Sequence, residues 1–360
     1  MPWGWRRTGK GMIRIVGWDI GAANIKAAAI VPDRGRPDGV RVSSRPFEIW
    51  RGKEGLPETL RSVYSALGPA HLPEAMAVTM TAELSDVFAT KREGVLFVLE
   101  CIKGCFPKSA GYVFSLSGEF VPLEEAGKRP LDFAAANWLA AARWISGFFP
   151  DCLLVDVGST TTDIIPIMEG RVAAIGRTDT ERLSSGELLF TGALRTNLAA
   201  IVQYVPVEGL FCRVAAEYFA ISGDVHLVLG HLKARDYSCA TPDGNPPSVV
   251  SSRRRIARLV CADTETLSAE SIDDIARYIH ARQILQICEG MNQILSRLPR
   301  LRSRPVIAMG AGSFLAEAAA ENLGLEIRDL ARDFGKKPIA VMPCVAAAHL
   351  LAVSLKEDPR

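Results

Sequence analysis

One short pattern occurs twice in this chain, and it restricts the fold more than any other feature. Residues 13–31, IRIVGWDIGAANIKAAAIV, and residues 153–167, LLVDVGSTTTDIIPI, each give an apolar run, an Asp, a Gly two residues on, a turn of small residues and a second apolar run. Asp19 falls on Asp156, Gly21 on Gly158 and Lys26 on Asp163, 137 residues apart in every case. Apolar runs flanking a turn of this kind predict two strands joined by a tight loop. Two such hairpins in matched register predict two equivalent half-molecules. A chain of 360 residues, 48% of them hydrophobic, is long enough for the two cores this requires, at ~150 residues per domain.

The remaining pattern is that of an α/β protein. Ala75–Thr81 and Gly111–Leu116 read as further strands, and Phe133–Ile145 as an Ala-rich helix leading to the second hairpin. Past that hairpin come a strand at Val172–Ile175, a polar segment, and about a hundred residues of mainly helical pattern. These are interrupted by the loop TPDGNPPS at 241–248. A strand at 305–310, the turn GAGS, a helix and a last apolar helix after Pro343 complete the chain. The expected division is a first lobe over 12–150, to which the helix 343–356 returns, and a second over 151–342 with a helical insertion around 197–300. Met12 is an alternative start.

The repeated turn suits phosphate chemistry. A carboxylate at a strand end, followed by Gly and small residues, lets main-chain N–H groups approach an anion while the acid holds a metal or its water. Asp19 and Asp156 are therefore the candidate ligands for magnesium. Gly21, Asn24, Gly158, Ser159, Thr160 and Thr161 are candidates to meet phosphate oxygens. Lys26 is placed to neutralise phosphate charge, with Asp163 as its acidic counterpart. Gly310 and Gly312 fit a third wall of the same site, or simple strand-to-helix turn chemistry. Arg177, Arg182, Glu187 and Arg195 either bind substrate carboxylates or satisfy one another. Glu83 and Asp86 follow a strand and fit either cleft acids or a capping and surface role.

Other function classes fit less well. A formal charge of +2, from 42 Lys plus Arg and 40 Asp plus Glu, gives no wide basic footprint for nucleic acid. The run Arg253, Arg254, Arg255 and Arg258 reads as a solvated helix face. No apolar stretch reaches the ~18 residues of a membrane span. The expected protein is cytoplasmic, binds a small phosphorylated molecule, and is free of nucleic-acid and membrane partners. Its eight Cys read as reduced thiols, the C-x3-C pair Cys101 and Cys105 lacking a second pair for zinc. GAGSFL lacks the third Gly of a dinucleotide fingerprint, and too little chain follows it. The five His show no metal-binding spacing, His226 and His231 being five apart and so off one helical face.

WDIGAANIK and VDVGSTTTD resemble the two phosphate loops of the actin, sugar-kinase and Hsp70 superfamily, and AMGAGSF resembles its adenosine-side loop. VTMTAELSDVFATKREGV (78–95), DVGSTTTDIIPI (156–167), RLSSGELLFTGALRT (182–196) and AAEYFAISGDVHLVLG (215–230) are more specific. They resemble the hydantoinase-A/oxoprolinase branch, in particular its members tied to tetrahydromethanopterin-linked one-carbon transfer and methanofuran synthesis. Residue 22 is Ala where many relatives carry Gly. The resemblance implies a two-lobed, actin-like fold of two ribonuclease-H-like halves with a central cleft. It also implies a transferase that joins an aminomethyl-furan-methyl group, delivered as its diphosphate, to the phenol oxygen of a γ-glutamyl-tyramine or tyrosine-like acceptor. Diphosphate leaves, Mg2+ assists, ATP is not consumed, and Glu83 takes the phenol proton. The wider branch implies instead an ATP-dependent hydrolase or kinase, and a non-catalytic nucleotide-binding subunit of a formyl-transfer complex is a third reading. Assembly as a homodimer is left open.

Overall fold

The computed structural model describes residues 14–30, 40–68, 72–330 and 334–357. Met12, the basic stretch around it and His71 lie outside the described residues.

The first hairpin forms as its pattern dictates, with β1 (Ile15–Ile20) and β2 (Asn24–Ile30) antiparallel and Asp19 opposite Lys26. Next come β3 (Arg41–Pro46), α1 (Leu56–Ala66), β4 (Ala75–Met80), α2 (Lys91–Cys105), β5 (Ala110–Phe114), β6 (Phe120–Pro122), the short α3 (Leu123–Ala126) and α4 (Asn137–Ser146). The strands form one sheet in the order β3-β2-β1-β4-β5-β6, with β4 parallel to β1 and β5 parallel to β4. Every residue of β1 and β4 is buried, which is why both read as mainly apolar runs, broken only by Asp19 and Thr79, rather than alternating ones.

The second hairpin supplies β7 (Cys152–Val157) and β8 (Thr162–Met168), followed by β9 (Arg171–Val172), α5 (Asp179–Ser185) and β10 (Leu188–Leu189). A hairpin of β11 (Tyr204–Val207) and β12 (Leu210–Arg213) precedes α6 (Ser222–Val228), α7 (Val249–Arg258) and α8 (Ala269–Arg297). β13 (Val306–Met309), α9 (Ser313–Asn322), β14 (Ile327–Asp329) and α10 (Met342–Glu357) end the described chain. The second sheet runs β10-β8-β7-β13-β14, with β9 also paired to β8 and β13 parallel to β7, so its central order β8-β7-β13-β14 repeats β2-β1-β4-β5 of the first.

The chain divides into two compact units. One comprises the described parts of 1–151, 167–179 and 329–360, the other 152–166 and 180–328. Two segments thus fall differently from the division at 150 and 342. The end of β8 pairs with β9, and α4 packs on β9, which draws 167–179 into the first unit. Phe334 packs against Trp144 and, edge to face, against Phe148, drawing in the segment before α10. α10 packs on β1, β2, β4 and α4, so the last helix does return to the first half.

Local corrections have local causes. The strand expected at 172–175 is only Arg171–Val172. The Ala-rich helix starts at Asn137 rather than Phe133, after Ala135 in left-handed backbone with φ 50°. The helical insertion also carries the β11–β12 hairpin. The basic run on α7 is a solvated face only in part: Arg254 and Arg258 are exposed, whereas Arg255 is fully buried and bonds Asp224 and Asp243, and Arg253 pairs with Asp273.

Candidate active site

In the first unit, the penultimate residue of β1 is Asp19, a carboxylate only 4% exposed whose Oδ2 lies 3.6 Å from Lys26 Nζ on the neighbouring strand. The turn closes through the Gly21 N–H donating to Asn24 O at 3.0 Å. Ala22 and Ala23 accept from Ile49 and Phe47, which anchors the loop to the chain beyond β3. Ala22 is not among the left-handed residues, so the methyl it carries in place of Gly meets no backbone strain. Lys26 is itself partly exposed, with its ammonium group beside that carboxylate.

Glu83 and Asp86 separate cleanly. Asp86 is exposed, whereas Glu83 sits in the turn after β4 at 1% exposure. Both Glu83 carboxyl oxygens are buried without a hydrogen bond among the described residues. Burial is the main reason its pKa is pushed up to about 7, and the negative Asp179 adds to it. Lys91 and the nearby main-chain N–H groups of Glu83 and Ala135, which stand outside good hydrogen-bonding geometry, oppose the shift without reversing it. Lys91 is itself drawn to Asp179, 2.8 Å away, so much of its charge is answered there. A buried, unsatisfied carboxyl that titrates near neutrality is what a general base requires, and such groups concentrate at functional sites.

In the second unit three loops meet. The Gly158 N–H donates to Thr161 O at 2.8 Å, closing the turn after Asp156. Residues 191–195 run beneath it: Ala193 N–H donates to Gly158 O, and the Leu194 and Arg195 N–H groups donate to Ser159 O. A Cβ on Gly192 would stand 2.6 Å from the Thr160 main chain, so only Gly allows this approach. Gly310, at φ +88°, brings the third loop to within 2.4 Å of Asp156 Oδ1 from its own would-be Cβ, and the Gly312 N–H donates to Val157 O. Gly310 and Gly312 therefore adjoin the Asp156 turn. The supporting strip TGALR lies inside the family-like stretch 182–196, but apart from Arg195 its residues were given no role, because nothing in their composition marks one.

The polar cluster is divided. Arg177 is exposed in the first unit, while Arg182, Glu187 and Arg195 belong to the second. Arg182, 1% exposed, bonds Asp163 at 2.7 Å and Glu187 O at 2.8 Å, and Glu187 Oε1 meets Arg297 at 2.6 Å. That geometry fits the reading in which these groups satisfy one another. It ties Asp163 to Arg182 rather than leaving it as a mere counterpart of Lys26.

Asp19 and Asp156 offer hard carboxylate oxygens, the donor type magnesium takes when it keeps waters and shares substrate phosphates. Neither belongs to a cluster of three or more ligating side chains among the described residues; the single such cluster is His226, His231 and His280.

Two α/β units with one central sheet order, each with a small-residue turn after an Asp near the end of its central hairpin strand, define an actin-like protein. The chain belongs to the hydantoinase/oxoprolinase family, whose profile matches residues 74–352. It is 33% identical over 344 residues to a Methanocaldococcus jannaschii protein, (4-{4-[2-(gamma-L-glutamylamino)ethyl]phenoxymethyl}furan-2-yl)methanamine synthase, spanning 95% of this chain and 99% of that one. The synthase of the same name from Methanococcus vannielii is 35% identical over 205 residues, 56% of this chain and 90% of its own. In fold the chain is similar to nucleotide-free acetone carboxylase, with a TM-score of 0.56 at 10% identity over 94% of this chain and 70% of that one. No described helix is long and apolar enough to cross a membrane.

Proposed function

We propose that the chain catalyses the ether-forming step of methanofuran-type cofactor synthesis, moving an aminomethyl-furan-methyl group from its diphosphate to the phenol oxygen of a γ-glutamyl-tyramine or tyrosine-like acceptor. The observation that carries this reading is the similarity, along 95% of the chain, to a synthase named for a product with a phenoxymethyl-furan linkage. In the reaction the phenol oxygen forms a bond to the furfuryl carbon and the bond from that carbon to diphosphate breaks. The electron pair leaves with diphosphate, and the phenol proton goes to a base.

Glu83 is that base. A phenol has an ordinary pKa of ~10, and a carboxylate raised to about 7 by burial is a far better acceptor than an ordinary one. The furan ring stabilises positive charge on its methyl carbon, so the main catalytic task is to hold the negative charge growing on the leaving group. Main-chain N–H groups of the two turns, Lys26 and the hydroxyls of Ser159, Thr160 and Thr161 serve that end. Magnesium, with Asp19 and Asp156 as its candidate ligands, would supply further charge neutralisation when bound.

The fold is shared with ATP-using proteins, so a kinase or cyclic-amide hydrolase is the competing reading. Purified protein given the furan-methyl diphosphate and the phenolic acceptor, with ATP rigorously removed, should release diphosphate only when both substrates are present. Release of ADP and orthophosphate in proportion to product would overturn the proposal in favour of the ATP-dependent reaction.

A further inference from the structure

α6 ends in a turn that its sequence spacing conceals. Gly230 adopts φ +77°, the His231 N–H donates to His226 O at 2.9 Å, and the Gly230 N–H donates to Leu227 O at 3.3 Å. This is a Schellman ending, which folds the second residue past the helix back over its last turn. Two histidines five apart, which a continuous helix would point in different directions, thus face each other with Nδ1 atoms 3.4 Å apart. His280, from α8, closes the group with its ring 4.5 Å from that of His231 and 5.5 Å from that of His226. One ring nitrogen from each histidine lies within 4.8 Å of the other two.

We propose that His226, His231 and His280 bind one divalent transition-metal ion of the zinc class. Tetrahedral bonds of ~2.05 Å from nitrogen to zinc set ligand atoms ~3.3 Å apart, so the His226–His231 pair already stands at the right separation and His280 needs a small shift. The tautomer is right as well. Gln283 donates through Nε2 to Thr191 Oγ1 and Gly192 O, which leaves its Oε1 to accept from His226 Nε2 at 2.9 Å. His226 therefore carries its proton on Nε2 and turns the Nδ1 lone pair towards the other rings. A fixed acceptor behind a ligating imidazole is the usual outer support of a metal site.

Protonation also favours binding. Burial and the neighbouring imidazoles hold His226 and His280 well below their ordinary range, at about 3 and about 4, and burial lowers His231. All three are thus in the neutral, ligating form at pH 7. His280 Nδ1 is buried without a hydrogen-bond partner among the described residues. Phe314 closes one side, its ring 4.9 Å from His226 and 5.0 Å from His231. His231 is exposed, which leaves the fourth position open to water, the arrangement of a three-histidine zinc site. A bound ion would clamp α6 to α8 and, through Gln283, brace the Gly192 main chain that supports the Thr160 turn.

Chelator-treated full-length protein should be titrated with Co2+ and Zn2+, and metal content, cobalt visible absorption and melting temperature recorded. One ion per chain, an absorption band of four-coordinate cobalt and a higher melting temperature are expected. His231→Ala and His280→Ala should each weaken binding by at least ~100-fold, beyond the range seen on removing an outer support. The exposed position of His231 lets its variant report even if His280→Ala fails to fold. Substoichiometric uptake by the wild type, or variants that bind as tightly as it does, would overturn the site.

Discussion

Glu83 shows how one side chain couples stability to chemistry. Its carboxyl is neutral below its folded pKa of about 7, against an ordinary value of 4.5, so burial is tolerated at low pH and becomes unfavourable as pH rises. Wild-type stability should therefore fall between these two values and level off above the upper one. Glu83→Gln, which cannot ionise, should melt progressively higher than wild type across that interval, by an amount approaching ~3 kcal/mol. Turnover should move the opposite way. In the wild type, kcat/KM should rise with pH towards a plateau above about 7, and in Glu83→Gln it should be lower by ~10²–10⁴-fold, recovering in part where the phenol ionises unaided. A melting difference that does not depend on pH would show that the carboxyl is not held neutral. The two strand-end acids make a separate prediction: Asp19→Asn or Asp156→Asn should lower turnover by at least ~10²-fold while leaving the fold intact. Near-normal rates in both, with normal melting, would remove them from the reaction.

At the level of elements, the sequence disclosed most where a pattern is local. Both hairpins, β4, β5, β13 and the closing helix follow from apolar runs and their punctuation. What stayed hidden depends on groups distant in the chain. Arg255 looks like one of four surface cations until Asp224 and Asp243 are brought to it. His226 and His231 look unrelated until Gly230 turns the chain. Among the candidate site residues, Asp19 and Lys26 were legible because strand pairing fixes them as neighbours, whereas the partners of Arg182 and Glu187 were not. The 191–195 strip has the same character, and Gly192→Ala tests it. The added methyl would press on the main chain of Ser159 and Thr160, costing about 1–3 kcal/mol or displacing the turn. Turnover should drop more than the melting temperature explains; a variant as active as wild type would show that the turn tolerates movement.

Over the whole molecule, the repeated hairpin predicted two equivalent halves, and the two sheets do share one central strand order. The division is less tidy than the repeat, because one unit is assembled from three stretches of chain. α10 is the last of these, with Met342, Cys344, Val345, Ala346, Ala347, Ala348 and Leu351 all buried. At ~1.5–3 kcal/mol for each large apolar side chain removed from the core, its deletion should consume much of the ~5–15 kcal/mol that holds a domain together. In a chain cut before Met342, hydrogen exchange should show protection lost in β1 and β4 but retained in α8. Equal loss in both units would mean that they unfold as one.

That placement of α10 bears on how the protein is made. Domains commonly fold in order as they leave the ribosome, yet here the amino-terminal unit lacks a wall until the final helix emerges. The second unit has its last residues at about position 328 and is complete earlier. The unit begun first is therefore finished last, and during synthesis the apolar sheet of β1, β2 and β4 must wait for its cover or be shielded by a chaperone.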